Sequence, residues 1–219
     1  MQECWAVLFD WDGVIVDSAV AHERSWERLA QEAGHTLPPG HFKRGFGMKN
    51  EFIIPNQLRW ASDPAEVNRL ARRKEALYRE VVAEMGLEPL PGVVALVAAL
   101  HAARVPMALA SSTPRENIRF VLDRLGLQDA FRAMITAEDV SAGKPDPQVF
   151  LKAADALGMP PARCVVFEDT VVGIEAGRAA GMKVVAVVTT NPPELLHAAD
   201  RVVRRLTEVS VEELKRLMY

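Results

Sequence analysis

Beyond Gly92 the chain alternates strictly between short apolar runs and longer helical segments, and this pattern limits the possible folds more than any other feature. Apolar runs at 105–110, 133–136, 164–167, 183–188 and 200–203 read as strands. Between and around them, 93–103, 114–125, 147–157, 171–180 and the segment from 211 onward read as helices, two of them closed by Gly126 and Gly181. Strands and helices in alternation predict a parallel sheet joined by right-handed crossovers with helices on both faces, a doubly wound α/β core.

A further strand precedes all of these. Ala6, Val7, Leu8 and Phe9 form an apolar run that leads into Asp10, Trp11, Asp12 and Gly13. Residues two apart on a strand point to one side, so Asp10 and Asp12 can face one space while Trp11 faces away. Two acids at the end of a buried strand are costly unless a cation meets them.

From about residue 18 the character changes. Segments 19–33, 51–60 and 64–85 have helical composition, with Asp63 as N-cap and Pro64 at the first helical position of the last, and no strong strand appears. Glu88-Pro89-Leu90-Pro91-Gly92 is a stiff, punctuated boundary. The expected organisation is a core of 1–17 and 91–219 interrupted by a helical insert over 18–90. At 219 residues, one core with a sizeable insertion fits, and the hydrophobic content of almost half suffices for it. The net charge of −3 is mixed along the chain, which argues against nucleic acid as a partner. Cys4 and Cys164 have no metal-type spacing, and no apolar run reaches bilayer length. These features suit a cytoplasmic protein, monomeric or weakly dimeric, with no membrane partner.

Collected at the strand ends are Asp10 and Asp12, then Ser111, and then Glu168 and Asp169. Ligands of open α/β sheets bind outside the carboxyl ends of the strands. Lys144 follows the strand at 133–136 through a loop containing Gly143 and Pro145. Four carboxylates in one crevice would repel one another, and a hard divalent cation such as Mg²⁺ resolves this. Lys144 adds positive charge and Ser111 a hydroxyl. The set suits a metal with a phosphoryl group.

Four segments carry a resemblance: FDWDGVIVDS (9–18), ALASST (108–113), GKPDP (143–147) and VVFEDTVVGIEAG (165–177). They resemble the haloacid dehalogenase superfamily, in the branch holding β-phosphoglucomutase and the sugar-phosphate and phosphoglycolate phosphatases. The resemblance implies a Rossmann-like core with a small α-helical cap inserted after the first strand. It implies that Asp10 is a nucleophile forming an aspartyl-phosphate, and that Asp12 is the general acid and base, its backbone carbonyl being a metal ligand. Ser111, Ser112 and Lys144 would hold phosphate. Glu168 and Asp169, with Asp10 and Asp12, would hold Mg²⁺.

His22 and Lys74 match cap positions of that branch. Where its cap motif has a Gly followed three residues later by a phosphate-gripping Arg, Gly47-Met48-Lys49-Asn50 puts Asn50. A neutral Asn cannot replace a bidentate Arg fork. The expected activity is therefore Mg²⁺-dependent hydrolysis of a small phosphorylated metabolite, with a phosphomutase as one alternative and a non-catalytic phosphometabolite-binding protein as another. Plain structural roles stand beside these. Asn50 and Thr113 are both placed to cap helices, and Lys74 among Arg72, Arg73 and Glu75 could lie on a solvated helix face.

Overall fold

The computed structural model describes residues 4–45 and 48–219, and these form two compact units, 4–17 with 88–219 and 18–87. Among the described residues no helix is long and apolar enough to cross a membrane.

The larger unit is built on six parallel strands, β1 (Ala6–Phe9), β2 (Met107–Ala110), β3 (Ala133–Ile135), β4 (Cys164–Glu168), β5 (Lys183–Val187) and β6 (Arg201–Val203), in the order β3-β2-β1-β4-β5-β6. The order reverses at β1, which pairs with β2 on one side (Val7 opposite Met107) and β4 on the other (Phe9 opposite Phe167). Every residue of β1, β2 and β4 is buried, as expected of parallel strands covered on both faces, whereas β3 at the edge is half-buried.

On one face Ala6, Leu8, Ala108, Ala110, Val166, Val184 and Ala186 pack against the helices that carry Phe150 and Ile174. The many alanines let those helices approach closely. Gly177 goes further, since a Cβ there would lie 2.8 Å from Val184. The alternate residues face the other way, where the Phe9 and Phe167 rings stack with centroids 5.0 Å apart and Phe131 meets Phe9 edge-on.

The smaller unit is helical. It contains α1 (Ala19–Ala33), α2 (His41–Gly45), α3 (Asn50–Phe52) running on into a π-helical turn at Ile53–Leu58, and α4 (Pro64–Met85). The sequence suggests an ordinary helix over 51–60, but Pro55 has no N–H to offer, and the segment widens into the π form. Asp63 caps α4 as expected, its carboxylate accepting from the Glu66 N–H at 3.0 Å. Trp26, Leu29, Ile53, Ile54, Leu70 and Leu77 form the core of this unit.

Candidate active site

The site of the larger unit starts at the β1 terminus. The Asp10 N–H donates to the Phe167 carbonyl at 3.0 Å, which continues the β1–β4 ladder and sets Asp10 beside Glu168. The chain then turns sharply, with the Gly13 N–H donating to the Val16 carbonyl at 2.8 Å. Gly13 has φ 74°, and a Cβ there would lie 1.8 Å from an Asp169 oxygen. The turn therefore needs glycine both for its backbone and for the approach of Asp169.

Lys144 Nζ lies 2.8 Å from Asp10 Oδ1 and 2.5 Å from Glu168 Oε1. Glu168 Oε2 accepts from the Asp169 N–H at 2.9 Å, the Thr170 N–H at 3.1 Å and the Thr170 hydroxyl at 2.9 Å. Glu168 is thus saturated with donors and works as an anchor. Thr170 also caps the helix α8 (Val171–Ala179; α5, α6 and α7 are Val93–Ala102, Arg115–Leu125 and Gln148–Ala156) by accepting from the Gly173 N–H. A Cβ at Gly173 would sit 1.9 Å from the Glu168 carboxyl carbon, so this glycine makes room for the anchor.

Asp169 is different. It is fully buried, and neither carboxylate oxygen makes a hydrogen bond of good geometry. The Thr190 hydroxyl close to it only weakly opposes the rise of its pKa well above the ordinary carboxylate range, which burial drives first and the charges of Glu168 and Asp10 next. Asp10 is raised to about 7 by burial, against the pull of Lys144 and with a further push from Glu168 and Asp12. Burial alone would lower the Lys144 ammonium, but the Asp10 and Glu168 charges more than offset it and hold Lys144 protonated. One ammonium therefore accompanies three buried carboxylates, those of Asp10, Glu168 and Asp169, one oxygen of each lying within 4.8 Å of the others. All-oxygen donors, excess negative charge and a buried carboxylate without a well-formed hydrogen bond fit a hard divalent cation.

The Asp12 carboxylate stands outside this trio. It is half-buried, and its Oδ2 accepts from the Thr113 hydroxyl. Ser111 directly follows β2, with its N–H bound to the Ile135 carbonyl at 3.0 Å and its hydroxyl accepting from the Thr113 N–H at 3.1 Å. Ser111 is buried and Ser112 half-buried.

In the helical unit, three residues singled out in the sequence converge. Lys74 Nζ lies 2.6 Å from His22 Nδ1 and 3.0 Å from Glu75 Oε1, which also accepts from the Asn50 amide at 2.5 Å. His22 stacks on Tyr78 at 4.1 Å, and Lys74 lies over the Trp26 and Tyr78 rings. Lys74 is only 3% exposed, so it does not lie on a solvated face. It falls on the α4 stripe one turn from Leu70 and from Leu77, a spacing that points inward. Asn50 caps nothing, because α3 begins at Asn50 itself and its amide goes to Glu75. Gly47 lies outside the described residues.

A family model for haloacid dehalogenase-like hydrolases matches residues 6–181, which takes in Asp10, Asp12, Ser111, Lys144, Glu168 and Asp169. The chain belongs to the haloacid dehalogenase-like hydrolase family. Among family relatives, the chloroplastic 5-amino-6-(5-phospho-D-ribitylamino)uracil phosphatase of Arabidopsis thaliana is 40% identical over 96% of this chain, which spans 57% of that protein's length. Hexitol phosphatase A of Escherichia coli is 33% identical over 95% of this chain and 94% of its own. The crystal structure of a β-phosphoglucomutase from Clostridium difficile superposes with a TM-score of 0.87 at 27% identity, covering 98% of this chain and 97% of that one.

Sequence reasoning overlooked three participants in these haloacid dehalogenase-like sites. Thr113 is not a helix cap, since Pro114 takes that position without a side-chain bond and the hydroxyl goes to Asp12. Thr170 follows the acid pair directly, in the position of an N-cap, and that signal could have found it. Glu75 adjoins Lys74, but its role needs the fold to bring in His22 and Asn50.

Proposed function

We propose that this chain is a phosphoric monoester hydrolase acting on a small phosphorylated metabolite, with Asp10 as nucleophile and Asp12 as general acid and base. The observation that carries this is the pairing of Asp10 with Lys144 beside the buried Asp169 carboxylate, whose oxygens have no well-formed hydrogen bond. A carboxylate attacks an anionic phosphoryl group only if the charge of both is offset. Lys144 offsets part of it, and the Ser111 and Ser112 hydroxyls would hold phosphoryl oxygens. An oxygen of Asp10 forms a bond to phosphorus while the bond from phosphorus to the leaving oxygen breaks, and Asp12 gives its proton to that oxygen. Asp12 then takes a proton from water, whose oxygen attacks the aspartyl-phosphate, and inorganic phosphate leaves with Asp10 restored. Mg²⁺ held by Asp10 and Asp169, with Glu168 beside them and the Asp12 carbonyl completing the set, would supply Lewis-acid neutralisation of the phosphoryl charge.

The test is hydrolysis of p-nitrophenyl phosphate with Mg²⁺. Turnover is expected, and it is abolished by EDTA and by Asp10→Asn. Turnover that survives either treatment overturns the proposal, and tight binding of phosphate esters without turnover favours a binding protein.

A phosphomutase is the second reading, favoured by the likeness to β-phosphoglucomutase. Against it, residue 50 brings a neutral amide already engaged with Glu75. Incubation with β-glucose 1-phosphate and a bisphosphate separates the two. Free phosphate supports the hydrolase, and glucose 6-phosphate without it supports the mutase.

A further inference from the structure

We propose that Thr113 is a positioning residue that orients the Asp12 carboxyl for proton transfer to the leaving group and ties Asp12 to the loop bearing Ser111. This rests on the hydrolase reading above. Thr113 is 6% exposed and held at three points. Its N–H donates to the Ser111 hydroxyl at 3.1 Å, its carbonyl accepts from the Ala137 N–H at 3.4 Å, and its hydroxyl donates to Asp12 Oδ2. The first two contacts fix the backbone across the ends of β2 and β3. A β-branched side chain has few χ1 choices once its backbone is fixed, so the direction of the hydroxyl is set by the strand ends rather than by solvent.

The consequence lies in the orientation of a carboxyl group. A carboxyl group that gives up a proton must present its plane to the acceptor. With Thr113 donating to Oδ2, the hydroxyl holds the orientation of that plane. It also sets Asp12 apart from the buried trio of Asp10, Glu168 and Asp169, so that the acid and base is not drawn in as a fourth member of that cluster.

A misplaced acid matters in proportion to how much the leaving group needs its proton. A nitrophenolate departs largely unaided, whereas an alkoxide must be protonated as the bond breaks. The test compares kcat/KM for p-nitrophenyl phosphate and for an alkyl phosphate such as glycerol 2-phosphate in Thr113→Val, Thr113→Ala, Thr113→Ser and Asp12→Asn. General acid catalysis contributes about 10²–10⁴-fold, and misaiming it is expected to forfeit about 10–100-fold. Thr113→Val and Thr113→Ala should lose that factor on the alkyl substrate and less than about 3-fold on the nitrophenyl substrate, with Thr113→Ser restoring the alkyl rate.

An equal loss on both substrates in whichever of the Val and Ala variants folds overturns the role of Thr113, provided Asp12→Asn itself discriminates between them. If Asp12→Asn also falls equally on both, the assignment of Asp12 as the acid fails, and the role of Thr113 with it.

Discussion

A single nitrogen, Nζ of Lys144, is shared between Asp10 Oδ1 and Glu168 Oε1, and its side chain is 4% exposed. The nucleophile candidate and the anchor of the next strand thus depend on one buried positive charge.

Lys144→Met removes that charge and leaves three buried carboxylates facing one another. Breaking a buried pair by deleting one partner costs about 3–5 kcal/mol. Urea denaturation without divalent cation should show a loss of that size, and a loss below about 1 kcal/mol would contradict the electrostatic account. Phosphatase activity should be lost as well, beyond what the fall in stability explains.

Asp169 makes the opposite prediction. Neither oxygen of its buried carboxylate has a well-formed hydrogen bond in the metal-free protein. Asp169→Asn should therefore raise the melting temperature without Mg²⁺ at pH 8 and abolish the stabilisation that Mg²⁺ gives the parent. Lower metal-free stability with an intact response to Mg²⁺ would show that the residue is structural.

The response to Mg²⁺ should also depend on pH. Asp10 titrates near 7 in the folded chain and in the ordinary carboxylate range when unfolded. A raised folded pKa means its protonation favours folding fully below the unfolded value, and that contribution is lost as pH rises toward 7. Metal-free stability should decline across that window. Mg²⁺ needs the ionised acids, so at 100 times its dissociation constant it should add about 2.7 kcal/mol at pH 8 and clearly less at pH 5.5. Thermal shift at the two pH values checks this, and a larger shift at pH 5.5 refutes it.

In the helical unit, Glu75 is held below the usual carboxylate range although burial alone would raise it, because Lys74, His22 and the Asn50 amide favour its charged form. A depressed folded pKa stabilises above the unfolded value, and the contribution fades as pH falls through the folded one. Lys74→Met should cost about 3–5 kcal/mol at pH 7, and the Lys74→Met, Glu75→Met double variant should recover part of it. Hydrogen exchange in α1 and α4 reports the change locally, and unaltered protection in Lys74→Met would argue against a structural pair.

Cys4 is exposed, whereas Cys164 is buried in β4 and its thiol is pushed up to about 11 by burial. At pH 8 a thiol reagent should modify one cysteine in the native chain and both in urea. Two equivalents without denaturant would mean that β4 opens readily.

The α/β core was legible in the sequence because buried parallel strands leave near-continuous apolar runs such as Ala6 to Phe9 and Cys164 to Phe167. The clustering of Asp10, Glu168 and Asp169 was legible because these acids stand at or next to the end of such a run. The partner of Asp12 was not, because a Thr before a Pro at a helix start has an equally good local explanation, and only the β1–β2 pairing brings residue 113 to residue 12. Lys74 was obscured by its charged neighbours, although its place on the apolar stripe of α4 pointed inward.

The pairing of β1 has a consequence for synthesis. Its nearer neighbour in sequence, β2, begins at Met107, and β4 at Cys164. A ribosome adding 5–20 residues per second extrudes β1 roughly 5–20 seconds before any strand can bond to it. Throughout that wait the intervening helices α1–α4 can fold while β1 remains an unpaired, apolar thread, a natural client for a holding chaperone.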